Sequence, residues 1–162
     1  MKQRLTILFL AAVMLLSLAA CGKAKSSGAD PVELGRAMLD KASDMPDMSI
    51  VSSADKDGEA LFKYVSDLPY DKVAGYYLAY ASAGSAEEIA VIKLKNSSDA
   101  AEAKASLERH LKSRLGLFKV YSPDQVASVE GARIVTEGDT IALFVCKNAD
   151  ALSGELQKAM TR

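Results

Sequence analysis

Two neighbouring segments decide the fold: VAGYYLAYAS at residues 73–82 and EEIAVIKLK at residues 87–95. Both are rich in valine, isoleucine or tyrosine, which are residue types that favour extended strands. The connection between them, residues 83–86, contains only alanine, glycine and serine, and it is short enough for a hairpin. The pattern therefore predicts two antiparallel strands joined by a tight turn.

A long helix is expected after this pair of strands. Asn96-Ser97-Ser98-Asp99 introduces it, with Asp99 as the N-cap and Glu102 as the second half of a capping box. The helix is expected to end near Gly116 or shortly after. Apolar residues recur along it at spacings of four and then three, which predicts one side packed against the sheet: Ala103, Leu107, Leu111, Leu115 and Phe118.

A second hairpin and a final helix complete the C-terminal half of the chain. Residues 132–136 and 140–146 are predicted to form the second strand pair. They are joined by Glu137-Gly138-Asp139, whose central glycine suits a hairpin loop. The last helix is predicted over residues 149–160.

Two helices precede the first hairpin. Asp30 is a good N-cap, Pro31 suits the first helical position and Glu33 is placed to complete a capping box, so a helix is expected over residues 31–43. A shorter helix is expected over residues 58–65. The element order is therefore α, short α, ββα, ββα. This order favours an α+β fold, an antiparallel four-stranded sheet with helices on one face.

The N-terminus has the layout of a secretory signal. Positive charge comes first, an apolar core follows over residues 5–16, and small residues precede Cys21. The stretch Leu18-Ala19-Ala20-Cys21 resembles the lipobox at which bacterial lipoprotein signal peptidase cuts. This resemblance implies that residues 1–20 are removed and that Cys21 carries a lipid, on the extracytoplasmic side of the cell membrane. An uncleaved membrane helix is disfavoured because the apolar run is shorter than the ~20 residues that a bilayer requires.

A tether and a single domain are expected after Cys21. Residues 21–29 lack large apolar side chains and form the tether, and residues 30–162 form one extracytoplasmic domain. Lys23 and Lys25 either contact anionic head groups or belong to a soluble spacer. Removing residues 1–20 leaves 18 basic against 21 acidic residues, a net charge of −3. This balance does not indicate a nucleic-acid partner.

The folded part resembles a known family of bacterial lipoproteins. The resemblance rests on Tyr80 and Ser82 before Ala86-Glu87-Glu88-Ile89-Ala90-Val91, on the long helix, on Tyr121-Ser122-Pro123-Asp124-Gln125 and on the final hairpin. These features are similar to those of domain of unknown function 4358, over roughly residues 31–160. The resemblance implies one extracytoplasmic domain on a lipid anchor. It implies no established activity and supplies no catalytic or binding residue.

Glu88 is the sharpest candidate for a functional polar group. Glu87 and Glu88 are adjacent at the start of a strand, so their side chains point to opposite faces and do not form a carboxylate pair. Alternation with Ala90 and Ile92 turns Glu88 toward a helix-covered face. A buried carboxylate there needs a donor such as a tyrosine hydroxyl or a helix N-terminus. The competing interpretation is a structural hydrogen bond at the sheet edge.

Tyr76 and Tyr80 are the second candidate binding residues. They share one strand face and are placed to present a flat aromatic surface to a glycan or a peptide. Tyrosine is also common in strands for reasons of packing alone. The sequence does not show which sheet face the helices cover, so both interpretations stay open.

Other residues that often carry chemistry have ordinary explanations. His110, the sole histidine, lies within the long helix between Leu107 and Leu111, and a surface or core-edge role is expected. Asp55-Lys56-Asp57-Gly58 is out of register with a calcium loop. Cys146 ends an apolar strand and is expected to be a buried small hydrophobe, without a disulfide partner because Cys21 is lipidated. No metal, cofactor or catalytic residue is predicted.

Two functions from different classes follow from the sequence. The preferred one is a non-enzymatic, membrane-tethered binding or accessory module that serves an envelope protein, a cell-wall polymer or a small ligand. The anchor, the tether and the lack of a catalytic set favour it. The alternative is a small cell-envelope hydrolase that uses carboxylates such as Glu88.

Overall fold

Five antiparallel strands form one open sheet in a computed structural model that describes residues 28–82 and 84–161. The spatial order of the strands is β1-β2-β3-β5-β4. Their bounds are Met48–Ser52 for β1, Val73–Ala81 for β2, Glu88–Leu94 for β3, Arg133–Glu137 for β4 and Thr140–Val145 for β5. The fold is therefore α+β, as predicted, and both predicted hairpins form: β2 pairs with β3, and β4 pairs with β5.

Among the described residues, five α-helices pack around the sheet. They are α1 (Pro31–Lys41), α2 (Gly58–Phe62), α3 (Ala100–Tyr121), α4 (Val126–Glu130) and α5 (Ala149–Met160). Three short 3-10 helices lie at Tyr70–Lys72, Ser97–Asp99 and Pro123–Gln125. The predicted positions of α1, α2, α3 and α5 are confirmed, with differences at their ends.

The prediction of four strands is wrong because β1 adds a fifth. Its register on β2 runs from Met48 opposite Ala81 to Ser52 opposite Tyr77. The segment is only five residues long and follows a proline-containing break, so its own sequence carries a weak strand signal. It becomes a strand because the outer edge of β2 offers unpaired backbone groups, which a neighbouring extended segment satisfies.

The prediction of helices on one face is also wrong, since helices pack on both faces. One apolar core lies under α2, α3 and α4 and includes Leu78, Ala90, Ile92 and Leu107. A second core lies under α1 and α5. The strand β3 shows why: residues 89–92 are all 0% exposed, so successive side chains on opposite faces are equally buried. A continuous apolar run of this kind is typical of a strand covered on both sides.

Helix ends depart from the predictions where tertiary contacts intervene. Asp30 caps α1 as expected, because its Oδ1 accepts from the backbone N–H of Val32 at 2.7 Å. The capping box predicted for α3 is absent, since Asp99 and Glu102 both form ion pairs with Lys72 instead. The same helix continues beyond Gly116 to Tyr121.

The predicted leader lies outside the described residues. This applies to the signal peptide at residues 1–20, to the lipidation site Cys21 and to the tether as far as residue 27. Within the described ranges, none of the helices has the length and hydrophobicity needed to span a bilayer.

Candidate functional site

Glu88 is the first residue of β3, and its carboxylate is buried in contact with α3. The residue is 2% exposed. His110 Nε2 lies 3.0 Å from both carboxylate oxygens, and Arg114 Nη1 donates to Oε2. The predicted orientation of Glu88 toward a helix-covered face is confirmed. The expected donors are wrong, because an imidazole and a guanidinium replace the tyrosine hydroxyl or helix N-terminus.

Helix geometry brings the two partners of Glu88 together. His110 and Arg114 are four residues apart on α3, so their side chains lie on one face of the helix. Both are only slightly exposed, at 16% and 18%. Burying an ionised carboxylate is costly unless charged hydrogen bonds replace its water. The hydrogen bonds from His110 and Arg114 replace the water that the carboxylate loses on burial. They also hold the C-terminal half of α3 against the sheet.

A cleft opens beside this charged group, between α3 and β2. Its volume is about 380 Å³, and we name it the α3–β2 cleft. Glu88, His110 and Arg114 form its floor. Its apolar walls and rim are supplied by side chains from β2, α3 and the loop after α2: Tyr64, Leu78, Tyr80, Ala81 and Leu117, with Ser113 as a further polar group. A cavity of this size with few polar groups and an apolar lining is typical of a small-ligand site.

The two tyrosines predicted as a binding surface have different environments. Tyr76 is 0% exposed, and its hydroxyl donates to the carbonyl of Gly58 at 2.7 Å. Burial raises the pKa of Tyr76 to about 12. The prediction of an exposed Tyr76–Tyr80 surface is therefore wrong, because α2 covers the strand face at Tyr76. Tyr80 is half-buried and lines the cleft.

Tyr64, rather than Tyr76, forms the partly exposed aromatic pair with Tyr80. Its ring centroid lies 6.4 Å from that of Tyr80 at an interplanar angle of 55°, a tilted aromatic pair. Tyr64 is 61% exposed and follows the short helix α2. Nothing in its local pattern indicates this contact, because the two tyrosines come together only when the loop after α2 folds over β2.

The sequence does not indicate that His110 and Arg114 contact Glu88. His110 does lie at the edge of the core, as expected, but it also forms part of the charged floor. The sequence signal is that His110 and Arg114 are four residues apart. His110 follows the apolar residue Leu107 by about one helical turn. That spacing puts two cationic or polar side chains next to the core-facing stripe, and it becomes informative only once Glu88 is placed opposite.

The remaining candidates have structural roles. Cys146 is a free and buried cysteine, as predicted, and burial raises the pKa of its thiol. Asp55 stabilises a turn, since its Oδ2 accepts from the backbone N–H of Ser52 at 2.6 Å. In the described part of the chain, no group of three or more histidine, cysteine or acidic side chains is arranged to hold a metal ion.

A second cavity has a volume of about 530 Å³, and its lining includes Glu87 and Cys146. Four of its five charged side chains form ion pairs: Arg133 Nε contacts Asp150 Oδ1 at 2.6 Å, and Lys147 pairs with Asp44. Glu87 lines this cavity whereas Glu88 lines the α3–β2 cleft, so the two adjacent carboxylates do point apart as predicted. Paired charges on a polar lining make this cavity the weaker candidate for an apolar ligand.

Comparison with known proteins gives one match. The model of a family described as domain of unknown function, DUF4358, matches residues 48–146. No curated protein and no solved structure matches the chain. The matched range begins at the first residue of β1 and ends one residue after β5, so it contains the whole sheet and every residue of the α3–β2 cleft. The helices α1 and α5, which cover the second sheet face, lie outside it.

Proposed function

The chain belongs to the DUF4358 family, and from this premise we propose that it is a non-enzymatic binding module whose ligand site is the α3–β2 cleft. The observation that carries the proposal is the cleft itself. A charged floor whose carboxylate accepts hydrogen bonds at both oxygens lies beneath an aromatic and aliphatic rim, in a volume of about 380 Å³. Such a site offers apolar area for affinity and a few fixed polar groups for specificity.

The contacts of Glu88 favour binding over hydrolysis. Both carboxylate oxygens accept hydrogen bonds, from His110 and Arg114, so the group acts as an anchor for two cationic or polar side chains. A mechanism with a serine or cysteine nucleophile requires its hydroxyl or thiol in hydrogen-bond contact with a base. In the described residues His110 bonds only to Glu88. The hydrolase alternative therefore depends on Glu88 itself, whose two oxygens already accept hydrogen bonds from His110 and Arg114.

The proposal includes a lipid anchor on Cys21 and a place outside the cell membrane. Its support is the order of charge, apolar core, small residues and cysteine at the N-terminus. Two or three acyl chains on one residue give durable attachment, whereas a single chain is marginal. The partners are an envelope protein, a cell-wall polymer or a small ligand within reach of the anchored domain.

The position at which the chain enters the domain supports this arrangement. The carbonyl of Ala29 accepts a hydrogen bond from Lys93 Nζ at 3.2 Å, near the end of β3. Glu88 is the first residue of the same strand. At about 3.4 Å per residue, the five residue steps from Glu88 to Lys93 span roughly 17 Å. A tether that ends at Ala29 leaves the cleft at the far end of the sheet from the anchor.

Photo-cross-linking in the full-length, membrane-bound protein tests the proposed function. Benzoylphenylalanine is placed at Leu117, on the rim of the cleft, and in a control protein at Ala151, which is exposed on α5. A binding site at the cleft predicts an adduct of defined mass at position 117 that is absent at position 151. Equal adducts at both positions, or none at either, contradict the proposal.

A further inference from the structure

The polar groups left free on the floor of the α3–β2 cleft are hydrogen-bond donors. A guanidinium has five N–H groups, and Arg114 uses one on Glu88 and another on the carbonyl of Ser85 at 3.5 Å. In the described residues the hydroxyl of Tyr77 is the only buried side-chain polar atom that lacks a partner. Arg114 Nε makes no hydrogen bond in the described residues and is therefore accessible rather than buried, while the oxygens of Glu88 are already occupied.

The charge around the cleft also favours an anion. From Arg109 to Lys119 the helix α3 carries four formally positive residues and no acid. Two of these are already paired: Arg109 with Asp67, and Arg114 with Glu88. Lys112 and Lys119 are exposed on the same half of the helix. Glu88 offsets the charge of Arg114 but not that of Lys112 or Lys119. The resulting positive potential attracts an anionic ligand.

The apolar walls define the other half of the ligand. Leu117 is 57% exposed and Tyr64 is 61% exposed, and both border the cleft, where the Tyr64 ring packs against that of the half-buried Tyr80. Covering such apolar area is favourable because it is removed from water. The fork of Arg114 lies below this rim, so the ligand must present an apolar body and an acceptor group together.

We propose that the α3–β2 cleft selects a carboxylate attached to an apolar body, the chemistry shared by a peptide C-terminus and a fatty acid. The carboxylate accepts from the free N–H groups of Arg114, whose planar fork matches a carboxylate. The apolar body lies between Tyr80 and Leu117. This inference rests on the proposed function, because it names the ligand class of the same cleft.

Two matched probes test the charge requirement. Binding of radiolabelled N-acetyl-L-leucine and of its neutral amide is measured on the full-length protein in sedimented phosphatidylcholine vesicles, with protein-free vesicles subtracted. The acid is expected to bind about tenfold more tightly than the amide, the difference between a charged and a neutral acceptor. Octanoate in the same assay distinguishes the two sources: stronger binding than N-acetyl-L-leucine supports a fatty acid, and weaker binding supports a peptide C-terminus.

Three variants connect the preference to the cleft. Leu117→Glu places a negative charge on the exposed rim and is expected to weaken binding of the acid about tenfold, while the isosteric Leu117→Gln keeps the preference. Arg109→Gln removes a charge from the same helix, at a side chain that contacts Asp67 outside the cleft. This variant is also expected to keep the preference for the acid over the amide. An equal effect of Leu117→Glu and Leu117→Gln contradicts the proposal.

The failure of this inference is distinguishable from the failure of the proposed function. Equal binding of N-acetyl-L-leucine and its amide overturns the carboxylate assignment and leaves a binding cleft in place. No binding of either probe at millimolar concentration also overturns it. The proposed function is overturned separately, when cross-linking shows no preference for position 117 over position 151.

Discussion

Tyr76 and Tyr77 are adjacent and both 0% exposed, yet their hydroxyl groups have opposite environments. The Tyr76 hydroxyl donates to the carbonyl of Gly58 at 2.7 Å, on the side of β2 that faces α2. The Tyr77 hydroxyl is buried on the other side, under α1, and has no partner in the described residues. An unpaired buried hydroxyl costs free energy, whereas a paired one is close to neutral or stabilising.

Removing the two hydroxyl groups one at a time is expected to change stability in opposite directions. Tyr76→Phe removes the hydroxyl that donates to the Gly58 carbonyl and lowers the free energy of unfolding by about 1 kcal/mol. Tyr77→Phe removes an unsatisfied group and leaves that free energy unchanged or raises it by up to about 1 kcal/mol. Urea unfolding followed by circular dichroism measures both. A loss in Tyr77→Phe as large as that in Tyr76→Phe contradicts this expectation.

The residues of the site differ in how far the sequence predicts them. Alternation along β3 is enough to turn Glu88 inward, because that property depends only on neighbouring residues. The partner Arg114 lies 26 positions away along the chain. Its contact with Glu88 depends on how α3 crosses the sheet, and no local pattern contains that crossing. The burial of Tyr76 has the same origin, since α2 covers it from outside its own strand.

Among the elements, α1 approaches the sheet more closely than an ordinary helix side chain allows. A Cβ atom on Gly35 would lie 2.2 Å from Cδ1 and 2.7 Å from Cβ of Tyr77. The second of these atoms is fixed to the strand backbone, so the Tyr77 ring does not relieve the contact by rotating. Gly35 thus sets the distance between α1 and β2, and this explains a glycine inside a helix.

Substituting alanine for two helical glycines tests this close packing. Gly35→Ala is expected to lower the free energy of unfolding by about 1–3 kcal/mol, because the helix must shift away from the sheet. Gly116→Ala is the matched control: nothing lies within 4 Å of a Cβ at that position of α3. It is expected to raise the free energy of unfolding by about 0.5–1 kcal/mol through helix propensity. The midpoint of thermal unfolding measures both, and a stabilised Gly35→Ala protein would show that the contact is unimportant.

The two sheet faces are closed by helices from different parts of the chain. On one face α3 contributes Leu107 to the core, and two of its residues, His110 and Arg114, to the charged floor of the cleft. On the other face α1 and α5 pack side by side, and Lys41 forms an ion pair with Glu155. The helices of the second face lie outside the DUF4358 match. The cleft therefore belongs entirely to the matched part of the fold.

On the scale of the whole molecule, the start of the described chain, which leads to the proposed anchor, and the cleft lie toward opposite ends of β3. The chain enters beside Lys93, and the cleft opens at Glu88 and at the C-terminal half of α3. With 22 residues at about 1.5 Å each, α3 extends roughly 33 Å along the sheet. A ligand in the cleft is thus expected to approach from the side of the domain away from the anchor.

The anchor itself is tested by substituting each of the two cysteines. Cys21→Ala is expected to abolish acyl labelling and to give unprocessed precursor or released protein, because the proposed site of lipid attachment is lost. Cys146→Ala is the control, since Cys146 is buried at the end of the sheet, and it should keep both labelling and membrane retention. Metabolic labelling with palmitate and membrane fractionation measure the two properties. Retention of labelled protein in the Cys21→Ala variant would contradict the lipobox interpretation.

The sequence alone determined the α+β class, both hairpins, the main helices and the inward orientation of Glu88. All of these follow from periodicity and turn chemistry within short segments, where neighbouring residues act on one another directly. The tertiary structure decided the fifth strand, the helices on both faces, the burial of Tyr76 and the pairing of Glu88 with His110 and Arg114. Each of these depends on segments that are distant in the chain: Met48, for example, pairs with Ala81. Contacts of that kind form because unpaired backbone groups and apolar faces must be covered, and their partners are settled only when the whole domain packs.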